Sequence, residues 1–126
     1  DDSCTQDTFL SLCKTLEANP ADPNTRDYLV AYLLVNRDKD YINRFVEQFQ
    51  HTPALDPMPI QVEEMMLMVN DPDFDYCRVH GAKEETIQRF QQMVMAYEDA
   101  TRRNQNPAAV LRKEYGKTLW YQFLFN

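Results

Sequence analysis

Apolar residues recur along this chain with the period of amphipathic helices in nearly every segment between its prolines. Phe9, Leu12, Cys13 and Leu16 stand at i, i+3, i+4 and i+7, which predicts a first helix over about 5–18 that stops before Asn19-Pro20. A second begins at Asn24, read as its N-cap, with Asp27 three positions on where an acid favours a helix start. Its run from Tyr28 to Val35 is apolar on every side. A buried strand would also suit that run, but the cap and the flanking helical patterns argue for a buried helix. Asp38 then caps a third helix whose stripe is Ile42, Phe45, Val46 and Phe49. Pro53, Pro57 and Pro59 end the linker that follows and open a fourth helix over about 58–70. A fifth covers about 83–104 with Ile87, Phe90, Val94 and Tyr97 facing inward. The sixth starts at Pro107, a favoured first-turn residue, and reaches the aromatic C-terminus, with Gly116 as a point of kinking or interruption.

The pattern repeats. Pro20-Ala21-Asp22-Pro23 returns as Pro53-Ala54-Leu55-Asp56-Pro57, its second proline 34 residues on. At that offset Tyr28, Ala31, Tyr32, Leu33 and Val35 map onto Val62, Met65, Met66, Leu67 and Val69, all apolar. Leu29 and Val30 map instead onto Glu63 and Glu64, so the second copy is expected to be less buried on one side. Ile42-Asn43-Arg44-Phe45 returns as Ile87-Gln88-Arg89-Phe90 at an offset of 45, which places an insertion of eleven residues within about 70–81. A helix–turn–helix unit of about 34 residues has the tetratricopeptide period. The consensus is incomplete, since no tryptophan opens the first helix and its small-residue positions are poorly kept. The expected fold is all-α: about six helices as tetratricopeptide-like antiparallel hairpins in a short right-handed solenoid, one domain over 1–126.

Composition narrows the function classes. With 126 residues, 44% hydrophobic and 26% charged, the chain suits a single globular core. Only two glycines occur, and neither a phosphate-cradling GxxxxGK[ST] loop nor a GxGxxG dinucleotide turn is present. A net charge of −7 argues against non-specific binding to nucleic acid or to an anionic membrane. No apolar run approaches the roughly 20 residues a membrane helix needs. Charge is uneven: residues 1–75 carry 15 acids and 5 bases, residues 76–126 carry 5 acids and 8 bases. Ordinary solvated faces account for this, though the asymmetry leaves open that copies of the chain associate. The chain opens Asp1-Asp2-Ser3-Cys4 without a methionine, as a processed or truncated piece would, and Cys4 lacks the preceding residues of a lipid-attachment site. Cys4, Cys13 and Cys77 are an odd number without a CxxC pair. Cys4 and Cys13 could join only if the segment between them were not one helix, so free thiols are expected.

Candidate chemistry concentrates in the insertion, where Asp71, Asp73, Asp75, Cys77 and His80 lie close together. Alternate aspartates hint at a calcium loop, but Tyr76 and Ala82 stand where that loop needs glycine and glutamate. Cys77 and His80 have the spacing of two zinc ligands without a second pair nearby. A polar loop in which Asp71 caps a short turn before Pro72 is the default reading. The two histidines, His51 and His80, show no spacing that orients a nucleophile. Glu63-Glu64 and Glu84-Glu85 are adjacent, so their side chains diverge on a helix instead of forming a carboxylate pair. Met58, Met65, Met66, Met68, Met93 and Met95 are read mainly as core fillers. The tail Leu119-Trp120-Tyr121-Gln122-Phe123-Leu124-Phe125 either closes the end of the array or docks elsewhere, closure being favoured.

Four stretches carry a resemblance: Asp27-Tyr28-Leu29-Val30-Ala31-Tyr32-Leu33-Leu34, Met58-Pro59-Ile60-Gln61-Val62-Glu63-Glu64, Glu85-Thr86-Ile87-Gln88-Arg89-Phe90, and Tyr115-Gly116-Lys117-Thr118-Leu119-Trp120-Tyr121. Spread over most of the chain, they resemble an uncharacterised family of bacterial envelope proteins. In that family a helical-repeat region often follows a membrane-embedded or exported N-terminal part. The closing Tyr-Gly-x-Thr-x-Trp-Tyr is the most distinctive piece. The resemblance implies a tetratricopeptide-like fold and an envelope, periplasmic or exported location, with no activity and no site residues to carry over. The chain departs from the pattern in having no membrane region here.

These readings lead to a non-catalytic protein–protein interaction or scaffold domain. No catalytic, cofactor or metal site is assigned, the partner is a protein and not a nucleic acid, and the segment does not insert in a membrane. Tyr28, Tyr32 and Met66 are candidate groove residues, each with core burial as its simpler explanation. The alternative is a metal-binding or hydrolytic domain centred on 71–80.

Overall fold

The computed structural model describes residues 2–126, and among them the chain is all-α. Eight helices form: α1 (Asp2–Ala18), α2 (Pro23–Asn36), α3 (Lys39–Phe49), α4 (Ile60–Asn70), α5 (Phe74–Val79), α6 (Glu84–Arg102), α7 (Pro107–Tyr115) and α8 (Leu119–Phe125). Two more appear than the six the periodicity predicts. One is α5, inside the expected insertion; the other arises because the last helix divides around Gly116. The reading of the chain's start rests on Asp1, which lies outside the described residues. No helix among the described residues is long and apolar enough to cross a membrane. The chain forms two compact units, one ending at Val62 and the other beginning at Glu63.

In the first unit α1 and α2 run antiparallel. The Tyr32 hydroxyl, late in α2, donates to the Thr5 carbonyl, early in α1, at 3.2 Å. Near the opposite ends Leu12 and Thr15 share a groove with Asn24 and Tyr28. Phe9, Cys13 and Leu16 from α1 and Leu29, Val30 and Leu33 from α2 are buried. The N-cap of α2 is Asp22 and not Asn24: its carboxylate accepts the Asn24 N–H at 3.0 Å and the Thr25 hydroxyl at 2.8 Å. Pro23 accounts for the difference, since proline suits the first helical position and thereby assigns the cap to the residue before it. The Thr25 hydroxyl, then the Asn24 N–H, hold the Asp22 carboxyl below the usual carboxylate range.

Arg37 turns α2 into α3 by adopting left-handed backbone, φ 53°, and donates its N–H to the Leu33 carbonyl at 2.8 Å. Asp38 then accepts from the Asp40 and Tyr41 N–H groups, as its place in the sequence predicts. The stripe Ile42, Phe45, Val46 and Phe49 is buried. Phe9 meets Tyr41 with ring centroids 4.8 Å apart, and the Arg44 guanidinium lies 5.5 Å from the Phe9 ring. Cys4 and Cys13 share the continuous α1 and remain free, one exposed and one buried.

In the second unit α6 and α7 also run antiparallel, because Arg89 near the start of α6 donates to the Glu114 carbonyl and lies 5.0 Å over the Tyr115 ring at the end of α7. Asn106 caps α7 through the Ala108 and Ala109 N–H groups, with Pro107 in the first turn as expected. Thr118 starts α8: its hydroxyl accepts the Tyr121 N–H at 3.1 Å and donates to the Tyr115 carbonyl at 2.7 Å. The buried side of α6 is Thr86, Ile87, Phe90, Met93 and Ala100. Tyr97, expected inward, is instead partly exposed and rests on Phe125 with ring centroids 6.1 Å apart, while Ala100 one turn on is buried. The aromatic tail packs within its own unit. Trp120 is buried edge-on against Phe90 at 5.0 Å, and its indole N–H donates to the Glu64 carbonyl at 2.9 Å.

Candidate functional site

Asp73, Asp75 and Cys77 of the insertion are each engaged separately. Asp73 is spent as the N-cap of α5, accepting the Tyr76 N–H at 3.1 Å. Asp75 pairs with Arg78 at 2.8 Å, and Arg78 also forks onto Glu84 at 2.7 and 3.1 Å. That contact holds the Glu84 carboxyl below the usual range. Cys77 points inward and donates its thiol to the Met66 carbonyl at 3.7 Å. Burial, reinforced by the charge of Asp73, pushes this thiol up to about 11. Burial has the same effect on Cys13, also to about 11. Neither is ionised near neutral pH, so neither is an activated nucleophile. His80 lies against the Tyr76 ring at 4.2 Å, and His51 is exposed in a left-handed turn of the first unit. No group of three or more His, Cys, Asp or Glu side chains able to hold a metal ion occurs among the described residues. Where the sequence suggested a polar loop capped by Asp71, a short helix capped by Asp73 forms, and Cys77 anchors it by burial. Alternating polar residues hid this helix, whose single buried position cannot produce a period.

Glu63 and Glu64 overturn the expectation of a less buried face: they are 1% and 7% exposed. Each carboxylate reaches the start of another helix. Glu63 Oε1 accepts the Lys83 N–H at 2.7 Å, at the entry of α6, where Lys83 itself offers no side-chain cap. Glu64 Oε1 accepts the Leu119 N–H at 3.2 Å, the first of α8. An acid at a helix N-terminus satisfies an orphan donor and sits at the favourable end of the dipole. The adjacent side chains do diverge, one to each helix, so they are no general acid–base pair. Glu63 Oε2 is buried with no hydrogen-bond partner among the described residues.

Burial raises the Glu64 carboxyl above a glutamate's ordinary value; the Leu119 N–H and the charge of Arg89 oppose the shift and the charge of Glu63 adds to it. A folded value above the unfolded one means that the native state binds the proton more readily. The contribution of Glu64 to stability is therefore fully present below 4.5 and lost as pH rises through the folded value. Glu64→Gln keeps an oxygen for Leu119 and abolishes the titration. Wild type should gain stability relative to this variant as pH falls from neutral toward 4.5, read by urea denaturation across pH. A pH-independent difference would place Glu64 at its ordinary value.

The remaining feature is a surface. From Tyr28 to Val35 helix α2 is apolar all round, yet only Leu29, Val30 and Leu33 are buried. Its other side presents Tyr28, Ala31, Tyr32 and Val35 along a shallow groove, with Tyr28 66% and Val35 81% exposed. This corrects the reading of a fully buried helix: one unit of three helices has partners for only one side of α2. Of the candidate groove residues, Met66 is fully buried, Tyr32 is half-buried through its bond to Thr5, and Tyr28 is open.

Fold and site together define an all-α chain without an assembled metal cluster among its described residues and with one unpartnered apolar helix face. The chain belongs to the family of unknown function DUF6057, whose model matches residues 2–126. Among curated proteins and among solved structures no match is found.

Proposed function

We propose that the chain is a non-catalytic protein–protein interaction or scaffold module of the bacterial cell envelope, built on tetratricopeptide-like helical hairpins. The observation that carries the interaction reading is the stripe Tyr28, Ala31, Tyr32 and Val35 at i, i+3, i+4 and i+7, which is the spacing one helix offers another. Exposed apolar residues in a continuous row, two of them tyrosines, are the kind of anchor that interfaces enrich. Repeat character rests on the 34-residue offset and the two antiparallel helix pairs, α1–α2 and α6–α7. Envelope location rests on the resemblance of the four quoted stretches.

A photo-reactive side chain placed at Val35 in the native host should cross-link one recurrent protein. The same group at Glu98, exposed on the second unit, should not. Tyr28→Glu combined with Val35→Glu should abolish the cross-link while leaving the helical circular dichroism unchanged, because both side chains are solvent-facing. Equal labelling from both positions, or survival of the cross-link in the double variant, would refute the docking face.

A further inference from the structure

The geometry points to a second site: a cavity in the second unit that binds a small organic cation, an ammonium group carried on an aryl-ethyl or similarly sized apolar body. The cavity, about 240 Å³, lies where the end of α4 meets α6 and α8. Its floor is Phe90, Met93 and Trp120, all buried in the core and hence held in place, and Phe123 forms another aromatic wall. Leu124, half exposed, marks the open side. The lining is otherwise apolar, with a single charged residue, Asp71.

Asp71 is what makes the cavity selective. Asp71 is exposed, and no hydrogen bond or ion pair engages its carboxylate among the described residues, while the Arg78 guanidinium is shared by Asp75 and Glu84. A free carboxylate on the rim of an aromatic-walled cavity meets both demands of an ammonium ligand: a counter-charge, and ring faces that attract cations. It repels carboxylates and gives a neutral hydroxyl a hydrogen bond without the attraction of opposite charges. Size follows from volume. A dry cavity of about 150 Å³ accommodates benzene, so the additional space here suits a ring with a tail of about three heavy atoms. Two methionines in the lining, Met68 and Met93, let the wall adapt to the guest.

Trp120, the only tryptophan in the sequence, reports on its own cavity by fluorescence. The full chain is titrated with 2-phenylethylammonium, 2-phenylethanol and 3-phenylpropionate, with amide chemical shifts as a second readout. The ammonium is expected to bind about tenfold more tightly than the alcohol, the carboxylate more weakly than either. Asp71→Asn should bring the ammonium down to the level of the alcohol without changing the alcohol. Leu124→Trp, at the half-exposed mouth, should weaken all three. Equal binding of ammonium and alcohol to the wild type overturns the assignment, as does an ammonium affinity unchanged in Asp71→Asn. Silence of both readouts with every probe at millimolar concentration overturns it as well.

Discussion

Replacing Trp120 by alanine is expected to cost about 3–5 kcal/mol, the usual range for deleting a large buried aromatic side chain. Three losses combine. The indole is 2% exposed, so nearly all of its apolar surface is out of water in the native state. Its edge-on contact with Phe90 at 5.0 Å disappears. The Glu64 carbonyl loses the donor it meets at 2.9 Å, in the same residue whose carboxylate caps α8. Urea denaturation followed by far-ultraviolet circular dichroism measures the effect, since the variant has no tryptophan left to fluoresce. Trp120→Phe restores most of the ring but not the N–H, so it should recover more than half of the loss. A cost below about 1 kcal/mol for the alanine variant would mean that the tail does not belong to the core of its unit.

Gly116→Ala sets two effects of opposite sign against each other. Gly116 has right-handed backbone, φ −58° and ψ −25°, so helix propensity alone would favour alanine by about 1 kcal/mol. Space opposes it. A Cβ at this position would stand 2.5 Å from the Arg112 carbonyl oxygen, a backbone atom that cannot swing aside as a side chain would. That same carbonyl accepts the Gly116 N–H at 2.9 Å, so moving it breaks the cap of α7. The clash should win, with a net loss of about 1–3 kcal/mol, typical of forcing an extra carbon into a tight site. A lower thermal midpoint with unchanged helical content is the expected result. A stabilised variant would show that the corner between α7 and α8 opens without penalty and that propensity decides.

Several local features were readable from the chain. Asp38 and Pro107 start their helices as their positions predict, and the stripe of α3 is buried at all four residues. Each of these signals acts within one or two turns, between residues that meet as soon as the helix forms. The cap of α2 was misplaced by two residues because Asn24 is as good a capping type as Asp22, and only Pro23 distinguishes them. The inward face of α6 was right at Ile87 and Phe90 and wrong at Tyr97, where a partial partner, Phe125, comes from the last turn of the chain. The candidate site was the least legible. Asp73, Asp75, Cys77 and His80 look like a cluster in one dimension, yet a six-residue helix points Cys77 inward and leaves its neighbours capping, pairing and stacking.

By itself the sequence determined that the chain is helical, where most helices begin, and which glycine-dependent motifs do not occur in it, because period, capping and composition are properties of neighbouring residues. Tertiary structure alone decided the rest. Glu63 and Glu64 are buried because Lys83 and Leu119, 20 and 55 positions away, bring unpaired N–H groups to them. Helix α2 keeps an open face because its unit supplies partners for one side only, although its sequence is equally apolar on both. Burial and exposure are set by what arrives from elsewhere in the chain, and an apolar or charged residue carries no mark of which neighbour that will be.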